Sequence, residues 1–323
     1  MSRHARVCAC AAALALALCS AGLAHAAPVV TKISDPGGPT PTDMVNALLS
    51  ENAGITIVPG SVSYTGADNA SGTFSGGGTN QANSIGIQTG IILTSGDAAF
   101  VSDVPNNNGS LTSENNSPGS PLLNGLVPQG NTNNASILSF SFIPDSNQVQ
   151  FSYVFGSEEY NNFVNSSFND VFGFFVNGTN FALIPGTTTP VSINNVNCGG
   201  PTGGAANGVN PSNCEFFRDN PPGSGTIDTQ LDGLTVVLSF VADVNPGVEN
   251  TIELGIADVS DSALDSAVFI AAGTFQSCGG PDQPPCGGPG PGPGPDPGQV
   301  PEPGSLALLG LGLLGLLAGR RFR

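Results

Sequence analysis

From Gly54 to Phe275 the chain alternates short apolar runs with clusters of glycine, asparagine, proline and serine. In "ASILSFSFIP" the apolar Leu138, Phe140 and Phe142 alternate with serines, and in "QVQFSYVFGS" Val149, Phe151 and Tyr153 alternate with polar residues. A period of two is what a strand with one dry and one wet face requires, because successive side chains leave it on opposite sides. Further runs, "GITIV", "SIGIQTGIILTSG", "DVFGFFVNG", "FALIP", "LTVVLSFVA", "NTIELGIAD" and "DSAVFIAAGTF", are short and bounded by turn formers; each reads as a strand. Many short strands predict an all-β fold, an antiparallel β-sandwich of jelly-roll or lectin-like kind. One short N-terminal helix is expected in "PTPTDMVNALLSENAG". Thr42 would cap it, Met44, Val45, Leu48 and Leu49 would form its apolar stripe, and Asn52 and Gly54 would end it. Residues 106–134 and 198–225 read as irregular loops.

The two ends follow other patterns. "MSRHARVCACAAALALALCSAGLAHAAP" has a basic start, an apolar stretch and Ala24-His25-Ala26. That tripartite layout predicts a secretory signal peptide over residues 1–26, removed by signal peptidase after Ala26. At the other end, "CGGPGPGPGPDPGQ" lies within a Pro/Gly spacer, residues 278–299, that cannot pack a core. Ser305 to Ala318 is then apolar, with eight leucines broken by Gly310, Gly312 and Gly315. Fourteen helical residues reach ~21 Å, short of a ~30 Å hydrocarbon core. The run is marginal as a permanent transmembrane helix, and Arg320, Arg321 and Arg323 would stay on the cytoplasmic side.

Charge narrows the function classes. Lys and Arg number 7 against 24 Asp and Glu. Between Pro28 and Gln299 only Lys32 and Arg218 are basic against 23 acids, so the body carries about −21. A polyanion repels phosphate backbones, which argues against nucleic acid as a partner. Both histidines, His4 and His25, fall in the leader. The body therefore has no Ser-His or Cys-His pair and no His-based zinc site, and it reads as not an enzyme.

Export makes the cysteines informative. Cys8, Cys10 and Cys19 leave with the leader, and Cys198, Cys214, Cys278 and Cys286 remain. An even number in an oxidising compartment predicts disulfides, and local pairing is the simplest of three connectivities.

Two acidic groups are candidate metal sites. Glu158 and Glu159 leave one strand and Asn169 and Asp170 open the next, so a hairpin would gather four side-chain oxygens. Asp258, Asp261 and Asp265 fall within one short loop. Ca²⁺ takes six to eight such oxygens; the competing reading is that these side chains cap turns. A glycosidase pair is disfavoured, since adjacent strand residues face opposite ways and the chain has no Trp to stack on sugars.

Two resemblances add to this. Val300-Pro301-Glu302-Pro303, the short apolar run and the terminal arginines resemble a PEP-CTERM sorting signal, residues 300–323. The resemblance implies a Gram-negative bacterium that makes exopolysaccharide or biofilm. A membrane-embedded exosortase would recognise the tripeptide and remove the tail, leaving the protein at the cell surface or in the extracellular matrix. "FSYVFGSEEYNNFVNSSFNDVFGFFVNG", "DGLTVVLSF" and "GIADVSDSALDSAVFIAAGTF" are similar to the choice-of-anchor L domain, which would fill most of residues 28–277. That family implies no shared activity. Members often carry Asp where this chain has Asn134, which puts a carboxylate role there in doubt. The expected protein is thus a non-catalytic structural or adhesive module, with Ca²⁺-dependent carbohydrate binding as the alternative. Exopolysaccharide or matrix components are the expected partners.

Overall fold

The computed structural model describes residues 27–200, 210–280 and 285–287. The leader with Ala24 and Ala26, most of the spacer, and the tail with Val300, Pro301, Glu302, Pro303, Arg320 and Arg321 lie outside the described residues. Among the described residues no helix is long and apolar enough to cross a membrane.

β1 (Val29–Lys32), β2 (Ile55–Ile57), β3 (Ser63–Thr65), β4 (Ser71–Ser75) and β5 (Thr89–Thr94) precede the long β6 (Thr132–Pro144) and β7 (Gln148–Ser157). After them come β8 (Val171–Val176), β9 (Thr179–Asn180), β10 (Phe217–Asp219), β11 (Gly233–Thr235) and β12 (Leu238–Asp243). The last are β13 (Asn250–Val259), β14 (Ser266–Ala271) and β15 (Gln276–Cys278). One sheet runs β1-β4-β5-β14-β7-β11-β10, with β12 and β15 also on β7; the other runs β2-β6-β13-β8-β9, with β3 on β6. The strand pairs are antiparallel. The fold is the expected all-β sandwich.

The sheets close on an aromatic core. Phe151 of β7 meets Phe174 of β8 edge-on at 4.6 Å and Phe240 of β12 at 4.1 Å, while Tyr153 packs on Phe172 at 5.0 Å. Such pairs add ~0.5–1.5 kcal/mol each beyond the area they bury. The six-stranded sheet keeps a wet outer face, seen in the half-buried serines that alternate along β6. The larger sheet does not. Val154, Phe269, Ile92 and Leu234 on its outer face pack with Phe74, Ile85, Phe100, Ile227 and Leu231, several of them on covering loops. That second covering explains why "VFIAA" and "GIILT" are continuous apolar runs rather than alternating ones.

The helix α1 spans Pro41–Leu48 and is capped by Thr40, not Thr42, in a capping box with Asp43. Pro41 decides this: it has no N–H to donate and fits the first helical position, so the cap must precede it. The helix also stops before Asn52, because Leu49 turns extended and bridges Phe275, whose N–H donates to the Leu48 carbonyl. "FALIP" is not a strand. Ile184 N–H donates to the Thr189 carbonyl and Phe181 N–H to that of Phe174. The segment is a buried turn, its apolar character reporting burial alone. "LTVVLSFVA" divides into β11 and β12. Cys198 pairs with Cys214 and Cys278 with Cys286, the local connectivity expected.

Candidate functional site

The connection from β7 to β8 is not a hairpin, because the two strands lie in opposite sheets. It crosses one end of the sandwich, and so does the link from β13 to β14. Their carboxylates therefore meet at that end, although 99 to 107 residues separate Glu158 and Glu159 from Asp258 and Asp265 along the chain.

Asn169 and Asp170 carry structural bonds. Asn169 Oδ1 accepts from Asn194 N–H at 2.8 Å. Asp170 accepts from Val259 N–H at 3.0 Å and from the Ser266 hydroxyl at 2.7 Å, which ties β8 to the ends of β13 and β14. Asn169 thus holds a loop backbone, while Asp170 links separate strands. Asp261 accepts weakly from Ala263 N–H at 3.5 Å near the surface.

Glu158, Glu159, Asp258 and Asp265 differ. Each is 0 % exposed. Glu158 Oε1, both Glu159 oxygens, Asp258 Oδ1 and both Asp265 oxygens have no hydrogen-bond partner. Glu158 Oε2 accepts only a long bond from Leu111 N–H, 3.3 Å, and Asp258 Oδ2 one from Asn134 Nδ2, 3.0 Å. The Asp265 carboxylate lies against Gly96, in the space a Cβ there would fill. Ser113 approaches it without reaching hydrogen-bonding geometry.

Sequence reasoning missed Asp232 of "DGLTVV", 1 % exposed beside Glu158. Its Oδ1 accepts from Asn106 Nδ2 at 2.8 Å, and Asn106 in turn takes a bond from Gln230. Its signal was an acid two residues ahead of the apolar run "LTVV", flanked by Leu231 and Gly233.

Burial, then the charges of Asp232 and Asp265, push Glu158 up to about 9. Burial, then Asp261 and Asp258, push Glu159 up to about 9. Burial lifts Asp232 and Asp265 to about 7 and holds Asp170 and Asp258 well above the usual carboxylate range. In each, loss of water penalises the charged form and neighbouring carboxylates add to the penalty. No cation offsets it. Lys32 Nζ pairs with Asp97 at 3.0 Å. Arg218 donates to the carbonyls of Gln81, Ser84, Ile85 and Thr235.

β13 carries a bulge at Ile256/Asp258 opposite Asn134, which takes φ +50°, a backbone state asparagine tolerates. The bulge aims Asp258 at this cluster. The amide of Asn134 gives it a donor where an aspartate would have set a second negative charge. Among the described residues no group of three or more His, Cys, Asp or Glu side chains is set out as around a metal ion. The carboxylates are gathered but not converged.

Away from this end, a depression of about 310 Å³ opens on the wet face of the six-stranded sheet, lined by Ser139, Ser141, Thr251, Glu253 and Phe175 among others.

No curated protein and no solved structure matches this chain. The PEP-CTERM protein-sorting motif matches residues 299–323, which marks an exported protein handled by an exosortase. The model of the choice-of-anchor L domain matches residues 33–276, nearly all of the β-sandwich described above, and the chain belongs to that family.

Proposed function

We propose that the sandwich is a non-catalytic structural or adhesive module, displayed at the cell surface or in the extracellular matrix of a Gram-negative bacterium once its tail is processed. The observation that carries this reading is the pairing of a family sandwich with a C-terminal sorting motif in one chain. The buried acids support the non-catalytic part. General acid-base work needs a carboxyl within reach of substrate, and Glu158, Glu159, Asp258 and Asp265 are closed to solvent. The wet face of the six-stranded sheet is the natural contact surface, with serine hydroxyls, Thr251 and Glu253 offering hydrogen bonds.

Carbohydrate is a second reading, favoured by that same depression, because its serine and threonine hydroxyls and Glu253 can hydrogen-bond a sugar. In that reading Ca²⁺ would assist from the buried cluster rather than touch the glycan. The test has two parts. In a strain with an exosortase, Glu302→Ala should leave the tail attached, read by intact mass, while the parent chain loses it. Deleting the chain should weaken cell-to-surface or matrix attachment, and restoring it with Ser139→Leu/Thr251→Leu should not recover it. Normal processing of Glu302→Ala contradicts the sorting reading; unchanged attachment after deletion contradicts the adhesive one.

A further inference from the structure

The outer face of the six-stranded sheet is walled as well as wet. Ile137, Gly255 and Gly173 stand opposite one another on β6, β13 and β8. The two glycines leave room above the sheet, and the helical turn α2 (Pro121–Asn124) settles into it. A Cβ on Gly173 would come within 2.8 Å of Leu123, and one on Gly255 within 3.3 Å. Leu122 of the same turn, 38 % exposed, then lines one side of the depression of about 310 Å³. That volume lies at the small end of ligand sites, ~300–1,000 Å³.

Two residues along from the glycine row, Ser63, Ser139, Glu253 and Phe175 stand opposite one another on β3, β6, β13 and β8. Two residues further, Ser141 faces Thr251. Directly opposed side chains on one face of a sheet sit ~4.5–5.5 Å apart, so the hydroxyls of Ser139, Ser141 and Thr251 lie beside the Glu253 carboxylate. Ser63 and Ser139 bond each other at 2.8 Å. Glu253 is half-buried and takes no hydrogen bond and no ion pair among the described residues, and burial lifts its carboxyl above the ordinary range. A carboxylate that loses water with nothing in its place favours an incoming donor, a cation above all.

The chain supplies no such cation. Between Pro28 and Gln299 it holds 23 acids against Lys32 and Arg218, and both bases are engaged elsewhere, by Asp97 and by backbone carbonyls. The field of that excess repels uronate, sulfated and phosphorylated sugars and draws cations in. A basic peptide would answer the charge but not the floor. A lysine brings an aliphatic stem to it, whereas the floor offers hydroxyls that pair with those of a sugar ring. We propose that the depression binds a sugar bearing a free amino group, with Glu253 as counter-ion of the ammonium and Ser141 and Thr251 bonding the ring hydroxyls. The inference deepens the carbohydrate reading and rests on it.

The test titrates oligomers of equal length into the full chain by calorimetry, slightly below neutral pH, where sugar amines carry protons. The probes are glucosamine, N-acetylglucosamine and glucose oligomers, with an oligolysine of equal charge. Physiological salt screens the general attraction between a polycation and the acidic chain. The glucosamine oligomer should bind about tenfold or more tightly than the other two sugars, the effect of one charge-assisted hydrogen bond. Glu253→Gln should abolish that preference without moving Tm. Asp243→Asn, which removes an exposed acid from the opposite sheet, should keep it. Equal or tighter binding of the acetylated or neutral oligomer would overturn the amine assignment and leave the carbohydrate reading standing; no binding of any sugar oligomer would overturn both. Equal weakening by Glu253→Gln and Asp243→Asn would assign the binding to net charge and overturn the site, as would oligolysine binding as tightly with the same dependence on Glu253.

Discussion

The Asp265 carboxylate occupies the space that a side chain on Gly96 would need. Gly96 is therefore required by its neighbour rather than by its own backbone, and Asp265 is 0 % exposed and has nowhere open to retreat. Gly96→Ala should destabilise by ~1–3 kcal/mol, the usual cost of overpacking, lowering Tm by roughly 2–10 °C. Shortening the partner should relieve it, so Gly96→Ala/Asp265→Ala should melt above Gly96→Ala alone. A Gly96→Ala chain that melts like the parent would refute this packing.

Asn134 is the donor that Asp258 Oδ2 accepts from, at 3.0 Å. Asn134→Asp removes that donor and sets a like charge inside the cluster. In EDTA at pH 7.5 it should cost about 1–3 kcal/mol, read as a lower urea midpoint with an unchanged slope.

The buried acids fix the sign of the pH dependence of the metal-free protein. Burial pushes Glu158 up to about 9 in the folded chain against an ordinary value of 4.5, and Asp232 and Asp265 to about 7 against 3.8. Glu159, Asp170 and Asp258 shift the same way. The folded state thus holds protons that the unfolded chain releases, and stability falls as pH rises across those intervals. Their contribution is whole below about pH 4, and is lost through about pH 7 for Asp232 and Asp265 and through about pH 9 for Glu158 and Glu159. In EDTA, Tm at pH 5.5 should exceed Tm at pH 8. A melt that rises with pH over this range would contradict the burial.

The disulfides should contribute by loop size. Cys198–Cys214 spans 16 residues and Cys278–Cys286 spans 8. Chain-entropy reasoning gives ~3 and ~2.5 kcal/mol respectively. Cys198→Ser/Cys214→Ser should lower Tm by roughly 5–12 °C and remove part of the parent's sensitivity to reductant.

Much of the fold is legible in the sequence. The strands with strong patterns, β6, β7, β13 and β14, fall where alternation or apolar runs put them, because period and burial are local properties of the chain. Its short edge strands, β1, β3, β9, β10 and β15, carry three or four residues at most. They exist because a neighbour offers unpaired backbone groups, which their own residues do not announce. "FALIP" fails for the converse reason: its burial comes from packing on β8, without a ladder.

The candidate site divides in the same way. Sequence alone determined that the chain is acidic, nearly free of bases between its ends, and closed by a sorting motif, since charge and address segments are read from linear order. It also named Glu158, Glu159, Asp258 and Asp265 as acids worth explaining. Only the tertiary structure decided that Asp170 links β8 to β13 and β14, that Asp232 joins the group, and that the carboxylates are sealed from water. The physical reason is that β7 and β8 belong to opposite sheets. Their crossing at the end of the sandwich sets residues distant in sequence side by side, and burial there, rather than spacing along the chain, gives those acids their unusual charge state.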